Sequence, residues 1–492
     1  MTSRIRFTLA GLFAVLCASQ LSAQGAGQPL TLQGMNQWLA TDVRDRAMGG
    51  VAVVAGRSSN AVFSNPALLG RLSESELRVS GLSMTTERRQ KQEWVPDRLY
   101  AGLSILMEDK WAGIKEPLVF DPTDSTYKPP TSPFEQLQKP YDTMGPNWFQ
   151  SSSHGLPLTF SAAMPIEFLE NSFVIGVGAA NVIDLDHYFQ NNNVLDPMIG
   201  SYRPSPIPVV RQGDTLHVRW YRHIRDRQGT LQTVSPAIAM NFGRLSAGLA
   251  VNVLFGSSDD YEQRWDRGEL VFIYNAFKVD SIHYVETRTG TSTYRGTNGT
   301  AGFLWESDRY AIGATVTLPT SIERSFTRTF TRDTALSSST VNESGTEELR
   351  LPLRYSVGLL LKPTERWSIS VDYGMTGFAE SEQVGADGSI ASTWVGGNEL
   401  RLGGEFLPVP WLAVRGGYRQ EVQPFAVVGS AILNEPVKTS VITFGLGITF
   451  GSLIVEGAYE YRYLKYQDLW QSNINTNLTE QHLVALEFGY RF

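Results

Sequence analysis

The sequence predicts an all-β protein: a transmembrane antiparallel β-barrel of about 14 strands whose lumen is plugged by an N-terminal hatch. Three observations predict this fold. Segments along the chain alternate apolar and polar side chains with a period of two, tight turns alternate with long polar connections, and a stretch rich in small residues precedes the first strand without alternating. After residue 23 no run of 18 or more apolar residues occurs, which excludes a helical membrane protein.

The first segment of the chain, 1–23, predicts a secretory signal peptide. Two arginines precede an apolar stretch, 7–18, which is too short to span a bilayer, and small residues lead to a cleavage point after Ala23. A lipoprotein is disfavoured because Leu16 puts a bulky residue directly before Cys17. Cleavage after Ala23 removes this cysteine, so the mature chain is expected to lack disulfides and thiol chemistry.

The composition fits an exported barrel. Charged residues make up 18% of the chain, where a soluble domain usually carries about 25%, and aromatic residues make up 11%. The net charge of −7 means that the chain lacks the excess of basic residues that binds nucleic acid, which is therefore not expected as a partner. The terminal Phe492 resembles the assembly signal of bacterial outer-membrane proteins. We therefore expect the bacterial outer membrane as location, and its lipid and assembly machinery as partners.

The last segment shows the strand pattern clearly. One face carries Val484, Leu486, Phe488, Tyr490 and Phe492, and the residues between them carry Glu and Arg. A half-buried strand of a soluble sandwich would alternate similarly. The barrel is favoured because Tyr and Trp cluster near strand ends, as an interfacial girdle requires, and because charges occur in mid-strand opposite an almost uniformly apolar face.

The same pattern predicts fourteen strands, an even number with both ends periplasmic. They are 76–84, 156–165, 172–183, 233–242, 244–256, 299–306, 309–319, 351–361, 366–375, 398–407, 411–420, 440–449, 452–463 and 482–492. Long polar connections are predicted at 184–232, 257–298, 320–350, 376–397, 421–439 and 464–481, alternating with tight turns. A further candidate, 98–106, breaks the alternation and is assigned to an elaborated external loop, 85–155. Sixteen strands would result if 269–287 crossed the membrane as a hairpin. The barrel domain is thus 76–492.

Residues 24–75 predict the hatch. The segment is rich in Gly and Ala and ends in an Asx-type turn, a motif that by itself is common before any strand. Here the chain resembles the FadL family of outer-membrane transporters for long-chain fatty acids and other hydrophobic compounds. In that family an Arg-Ala-x-Gly-Gly segment and an Asn-Pro-Ala turn belong to a hatch inside the barrel. The matching residues here are Arg46, Gly49, Gly50, Asn65, Pro66 and Ala67.

The resemblance continues in the C-terminal half. A hairpin over 351–373, with Lys362-Pro363-Thr364-Glu365-Arg366-Trp367-Ser368 at its turn, looks like a characteristic hairpin of the family, and 415–418 and 445–447 carry family-like residues. In the FadL family a kink in the third strand opens the wall laterally. The matching segment here contains Gly176, Gly178 and Asn181, which become candidates for a lateral gate. The alternative is that these glycines only accommodate a neighbouring aromatic ring.

Three arginines fall on predicted inward faces: Arg401, Arg415 and Arg419. A fatty carboxylate would require such a cation in the lumen. The alternative, which we favour, is a structural network in which these arginines pair with the neighbouring lumen glutamates. These glutamates are Glu399, Glu405, Glu456 and Glu460.

The function predicted from the plug is passive transport of a hydrophobic ligand, a long-chain fatty acid or hydrocarbon. A porin would leave an open polar channel, whereas a plug prevents leakage and an apolar pocket beside it would let the ligand avoid water. A different class of function is also compatible: a PorV-like attachment component of protein secretion, since PorV is a FadL-like relative that shares the hatch region. No enzyme, cofactor or metal site is expected, because the six histidines lack metal spacing and no Gly-x-Ser-x-Gly motif occurs.

Overall fold

The computed structural model describes residues 30–94, 147–168, 171–193, 215–273, 276–427, 435–470 and 473–492. The predicted signal peptide, the first residues of the predicted hatch (24–29), the segment 98–106 and most of the predicted loop 85–155 lie outside these residues. Among the described helices, none has the length and apolar character needed to cross a membrane.

The described residues form one antiparallel sheet of nineteen strands. In chain order they are β1 (Glu76–Trp94), β2 (Trp148–Phe168), β3 (Asn171–Asp184), β4 (His187–Asn193), β5 (Thr215–Phe242), β6 (Leu245–Ile273), β7 (Ala276–Glu306), β8 (Tyr310–Thr317), β9 (Thr320–Thr334), β10 (Ser338–Leu351), β11 (Arg354–Thr364), β12 (Trp367–Met375), β13 (Glu382–Val384), β14 (Ile390–Ala391), β15 (Asn398–Val409), β16 (Leu412–Ala426), β17 (Pro436–Phe450), β18 (Leu453–Trp470) and β19 (Asn473–Arg491).

These strands make fourteen crossings of a closed barrel. The pairs β3–β4, β8–β9 and β10–β11 each continue one crossing past a break, and the short β13 and β14 lie in the connection after β12. The barrel closes where β1 pairs with β19, from Glu76 opposite Arg491 to Trp94 opposite Asn473. The prediction of fourteen strands is therefore confirmed.

The outer surface has the apolar band of a transmembrane barrel. Along β19 the side chains of Val484, Leu486, Phe488 and Tyr490 are each about half exposed, while Glu487 between them is buried. Such alternation places a lipid-compatible face outward and polar residues inward. The predicted orientation of this strand is confirmed.

The predicted long connections are wrong in one respect: many of their residues belong to strands. β6 and β7 remain paired from Leu245 opposite Trp305 out to Ile273 opposite Ala276, so 257–298 is a hairpin extending beyond the apolar band. The segment 269–287 lies in this hairpin and does not add two crossings, so sixteen strands are excluded. The residues 85–94 and 148–155 likewise extend β1 and β2 and are not loop. Lipid-facing periodicity ends where strands leave the membrane, so it could not mark these extensions.

Residues 30–75, called here the hatch segment, lie inside the barrel. The segment contains a helix, α1 (Val43–Ala47), and two 3-10 helices, Ser59–Phe63 and Pro66–Arg71. Its apolar side chains, such as Val54 and Leu68, are fully buried in clusters shared with the inner faces of the strands. The segment therefore packs as a core against the inner face of the wall.

The hatch segment extends over much of the height of the barrel. At the end with the short turns, the Phe492 N–H donates to the Ser75 carbonyl oxygen over 3.0 Å. At the other end, Arg227 on β5 donates to the carbonyl oxygens of Thr31 and Gln33, both over 2.8 Å, and the Leu30 N–H donates to Glu262 on β6. Both ends of the segment are thus tied to the wall.

Candidate functional site

The backbone of the hatch segment lies directly against the wall at Gly49. This residue and Gly50 have positive φ angles of 74° and 80°, which favour glycine. A Cβ atom at Gly49 would collide with the backbones of β15 and β16, and one at Gly417 on β16 would collide with the Gly49 backbone. Close approach allows the Gly49 N–H to donate to Oγ1 of Thr443 over 2.8 Å. The conformation and the contact both require glycine at position 49.

A first buried ion-pair cluster joins the hatch segment to β15, β16 and β18. Arg44 donates to both oxygens of Glu405, over 3.2 Å from Nε and 3.0 Å from Nη2. Arg415 donates from Nε to the same Glu405 over 2.7 Å and also pairs with Glu456. Arg415, one of the candidate lumen cations, is therefore paired with two wall glutamates and one of them is shared with the hatch.

A second buried cluster surrounds Glu460 on β18. Arg46 lies 3.0 Å from Glu460 through Nη1, and Arg419 lies 2.6 Å from the other carboxylate oxygen through Nη2. Arg419 also donates from Nε to Glu421 over 2.8 Å. The third candidate cation, Arg401, lies 2.6 Å from Glu399 and remains partly exposed to the cavity described below. All three candidate arginines thus have carboxylate partners.

A third polar cluster lies between α1 and the barrel seam. Asp42 accepts hydrogen bonds from the backbone N–H of Asp45 over 3.1 Å and from the Ser58 hydroxyl, while Asn60 donates to Glu487 over 2.7 Å. Burial alone would raise the pKa of Asp42. However, Arg78 and these hydrogen bonds more than offset the burial, so its pKa lies below the ordinary aspartate value.

The Asn65-Pro66-Ala67 motif begins the second 3-10 helix. The Asn65 side chain accepts from the Ala67 N–H over 3.1 Å and donates from Nδ2 to the Val53 carbonyl oxygen over 2.6 Å. Asn65 therefore caps the helix and fastens it to the preceding loop. On the wall side, Asp372 of β12 accepts from the backbone N–H groups of Ala52 and Val53 over 2.7 and 2.8 Å. The wall thus supplies a hydrogen-bond acceptor to backbone N–H groups of the hatch segment that are not paired within a β-sheet.

The three candidate gate residues lie along β3, facing the hatch segment or its edge. A Cβ atom at Gly178 would collide with the ring of Phe63, and one at Gly176 would come within 2.8 Å of Val62 Cγ1. At Asn181 the register between β3 and β5 shifts. The side chain of Asn181 donates a hydrogen bond to the Pro157 carbonyl oxygen on β2. The two glycines therefore accommodate hatch side chains, and Asn181 marks a bend.

Beyond Asn181 the ladder between β2 and β3 ends. The last pair is Thr159 opposite Ala180; after it β2 pairs with β1 alone, whereas β3 and β4 pair with β5. At this point β3 turns inward, and the Leu39 N–H of the hatch segment donates to the Val182 carbonyl oxygen over 2.9 Å. The described strands thus leave a gap in the wall, and Trp148 packs across it against Tyr188 and Phe189.

A cavity of about 400 Å³ lies between the hatch segment and the wall and reaches this gap. Aromatic and apolar side chains in its lining include Trp38, Phe63, Leu254, Phe378 and Phe189. Charged side chains also line it: Asp42, Asp45, Arg88, Arg89, Asp186, Arg354, Glu399, Arg401, Arg419, Glu421 and Arg462. The cavity is therefore mixed in character, which differs from the expected apolar pocket.

One cation in the cavity, Arg354, forms no ion pair within the described residues; Glu399 acts on it electrostatically but is paired with Arg401. The guanidinium carbon of Arg354 lies 4.5 Å from the centre of the Trp38 ring, and its Nε has no hydrogen-bond acceptor, nor has the buried Nε1 of Trp38. Arg354 was missed in the sequence, because an inward arginine at a strand start gives no signal of whether it will be paired. Two buried donors at one place suit a ligand with an acceptor.

No group of three or more potential metal ligands occurs among His, Cys, Asp and Glu within the described ranges. His223, for example, is buried and forms a 2.9 Å hydrogen bond to Glu262 instead.

Solved structures share this architecture. The likeness to a Pseudomonas aeruginosa FadL homologue has a TM-score of 0.56 and 13% identity, covering 92% of this chain and 98% of that chain. The Pseudomonas putida toluene transporter TodX gives a TM-score of 0.56 at 12% identity, covering 93% of this chain and 99% of that chain. The monoaromatic hydrocarbon channel CymD gives a TM-score of 0.52 at 11% identity, covering 94% of this chain and 99% of that chain. The chain has the fold of the FadL-type channels.

The likeness to FadL-type channels is one of fold. No protein-family model matches the sequence, and no curated protein matches it. Nearly the whole length of both chains takes part in these likenesses. The alternative of a PorV-like secretion component gains no support from these likenesses.

Proposed function

We propose that this protein transports hydrophobic small molecules passively across the outer membrane, through the cavity between the hatch segment and the wall. The observation that carries the proposal is the cavity itself, enclosed by a packed plug and continuous with the gap beside Asn181. Its volume of about 400 Å³ falls within the ~300–1,000 Å³ usual for small-molecule sites. Transport along this route needs no energy coupling, because the ligand follows its own concentration gradient.

The ligand class follows from the lining. Apolar and aromatic side chains would stabilise a hydrocarbon body by about 25 cal/mol for each Å² removed from water. The unpartnered donors of Arg354 and Trp38 would bind a terminal acceptor, so a long-chain fatty acid fits better than a neutral hydrocarbon. The solved structures of CymD and TodX are described as hydrocarbon and toluene channels, which supports the wider class of hydrophobic compounds.

We further propose that the ligand leaves through the gap between β2 and the β3–β4 crossing. Gly176 and Gly178 allow Val62 and Phe63 of the hatch segment to pack against β3, so a small shift of these side chains would widen the passage between the cavity and the gap. Asn181 fastens the bend to β2 through Pro157. The three candidate gate residues would thus act together with the hatch and not as hinges alone.

An uptake assay tests the proposal. A strain lacking the gene is complemented with the natural chain, with Thr300→Phe, which fills the cavity from β7, or with Thr297→Phe, which faces outward on the same strand. Uptake of oleate, an n-alkane and toluene is measured with each strain. We expect the natural chain and the outward variant to restore uptake of at least one substrate and the cavity variant to restore none. Equal uptake of all three substrates with and without the chain would refute the proposal.

The ligand preference is tested separately. Arg354→Gln should weaken oleate binding by about ten- to a hundredfold, because a hydrogen bond to a charged group contributes roughly 1.5–3 kcal/mol, and should leave alkane binding unchanged. Arg401→Gln is the matched control, since that arginine already has Glu399 as partner. Equal effects of the two substitutions on oleate would contradict the assignment to Arg354.

A further inference from the structure

The outward face of β18 changes character in steps where the strand leaves the membrane. Apolar residues such as Leu453 come first, three tyrosines follow, and the exposed Lys465 comes next. The tyrosines are Tyr459, Tyr461 and Tyr463. Aromatic side chains mark the boundary between hydrocarbon and head groups around a barrel, so Lys465 lies at the level of the head groups. Because β18 starts from a short turn, this boundary is the one of the outer leaflet.

The tyrosine boundary extends across the seam of the barrel. The hydroxyl group of Tyr459 forms a 2.7 Å hydrogen bond with Nδ1 of His482 on β19, and Tyr461 donates to Glu480 over 2.7 Å. Glu480 also lies 3.0 Å from Nη2 of Arg89 on β1. Side chains on the outer surface thus connect β18, β19 and β1 at one level.

Three exposed lysines lie just beyond this boundary. Lys465 and Arg89 are both paired with Leu478 of β19, and Lys91 is the next outward residue of β1 after Arg89. Lys438 is the next outward residue of β17 after its last pair with β18. From strand spacing and rise, the Cα atoms of Lys465 and Lys91 are about 12 Å apart.

The lysines are the available cations of this surface. Arg89 is already held by Glu87 over 2.8 Å and by Glu480 over 3.0 Å, so its charge is balanced. Within the described residues none of the three lysines forms an ion pair. Ammonium groups that point outward at this level are therefore free to bind an anion.

The opposite side of the barrel differs at the corresponding level. There Arg350 on β10 is paired with Glu348 over 2.8 Å and with Glu382 over 3.2 Å. Arg295 on β7 lies directly opposite Glu323 of β9. Outward cations on that side thus have acidic neighbours, whereas the lysines beside the seam have none of these pairings.

We propose that the outward face of β17, β18, β19 and β1 binds the phosphate groups of an outer-leaflet lipid, the phosphorylated glycolipid lipid A. Lysine ammonium groups form charge-assisted hydrogen bonds with phosphate. Continuity with the apolar band selects a lipid over a soluble anion, because the acyl chains of the same ligand can lie against that band. The separation of Lys465 and Lys91 suits a head group that carries two phosphates.

The proposed lipid site has a structural consequence. A head group bound between Lys465 and Lys91 spans β18, β19 and β1, and therefore bridges the pairing of β1 with β19 at which the barrel closes. The site lies on the outer surface, away from the cavity, and is independent of the transport route.

A binding experiment tests this assignment. The detergent-solubilised barrel is titrated with diphosphoryl lipid A and with dephosphorylated lipid A of the same acyl chains, and bound lipid is quantified by native mass spectrometry. The double variant K438Q/K465Q removes two lysines of the site. The control R295Q/R350Q removes two outward cations on the opposite side. Heat-modified migration in gels verifies that each variant is folded.

We expect K438Q/K465Q to weaken binding of diphosphoryl lipid A by about thirtyfold, which corresponds to about 1 kcal/mol for each lysine. The control should leave this affinity unchanged, and dephosphorylated lipid A should bind all three proteins alike. An equal loss in the two double variants would overturn the proposal, as would equal affinity of the natural chain for the two lipids.

A second measurement leaves the lysines in place. A nitroxide is attached to Thr476→Cys, which is paired with both Lys91 and Gln467, or to Thr346→Cys on the outward face of β10. Cys17, in the predicted signal peptide, is the one natural cysteine of the sequence. In nanodiscs that contain lipid A as a minor component, the label at position 476 should broaden the phosphorus NMR signal of lipid A more strongly. Equal broadening by the two labels would overturn the proposal.

Discussion

The guanidinium of Arg46 on the hatch segment lies 3.0 Å from the carboxylate of Glu460 on β18, and neither side chain is exposed at all. Two further wall arginines, Arg419 and Arg462, contact the same carboxylate. The hatch segment is therefore held to the wall by charges that are removed from water. Such a pair is costly to break from one side, since the remaining charge is left buried without a partner.

Replacing Glu460 by Gln should loosen the hatch segment. Removal of one partner from a buried pair typically destabilises by about 3–5 kcal/mol, and here three arginines lose their shared acceptor. We expect lower urea resistance in detergent, faster proteolysis of residues 30–75 and a measurable leak of small ions in planar bilayers. Glu382→Gln, in the exposed pair with Arg350, is the control and should change none of these. Identical behaviour of the two variants would show that the buried cluster does not hold the hatch.

Asp372 provides a second, independent attachment. Asp372→Asn removes the charge from two hydrogen bonds that are donated by Ala52 and Val53, each worth about 1.5–3 kcal/mol when the acceptor is charged. Hydrogen exchange should become faster at these two amides and remain unchanged in α1. Asp387→Asn, at an exposed turn where the carboxylate accepts from Ser389, serves as a matched control. Unchanged protection at Ala52 and Val53 would mean that the wall does not hold this loop.

The contact between Gly178 and Phe63 predicts a suppressible defect. Gly178→Ala adds a methyl group where the Phe63 ring lies, and overpacking of this kind usually destabilises by about 1–3 kcal/mol. The double variant with Phe63→Leu should recover much of this loss, as expected for residues in contact. Gly404→Ala, whose added Cβ would meet nothing closer than 3.9 Å, is the control. Strict additivity of the two substitutions in denaturant unfolding would contradict the packing described.

Asn65 should be sensitive to truncation. Asn65→Ala removes a helix cap, which contributes about 1 kcal/mol, and leaves the Val53 carbonyl oxygen without the Nδ2 donor. We therefore expect a larger loss of stability than for Asn342→Ala, whose side chain accepts a hydrogen bond on an exposed strand. The comparison is made by thermal unfolding of the detergent-solubilised barrel. A loss no larger than that of the exposed control would argue against a structural role of the motif.

The membrane-embedded part of the fold was predictable because lipid imposes a strict period of two. The outward-facing residues of β19, for example, are the ones that the sequence predicted. The external extensions were not predictable in the same way. In the hairpin of β6 and β7 the outward positions change from Val251 and Val253 to residues such as Ser257 and Asp259, so the apolar signal stops while the strand continues.

The candidate site was predictable in its parts and not in its connections. The alternation of side chains along each strand identified the inward arginines. However, only the folded barrel brings Arg44 within 3.0 Å of Glu405, which lies 361 positions later in the chain. Arg354 illustrates the opposite case. It lies on an inward face like the others, yet Glu399, which acts on it electrostatically, makes its ion pair with Arg401, and no local pattern reveals that the Nε of Arg354 lacks an acceptor.

The ties at both ends of the hatch segment have a consequence for biogenesis. The segment is fixed near the external extension through Arg227 and near the short-turn end through Ser75. The cylinder around it is sealed only when β1 pairs with β19, the last described strand in chain order. Contacts so distant in sequence form slowly because a long loop must first be closed. We therefore expect the hatch segment to be in place within the curved sheet before the pairing of β1 with β19 encloses it.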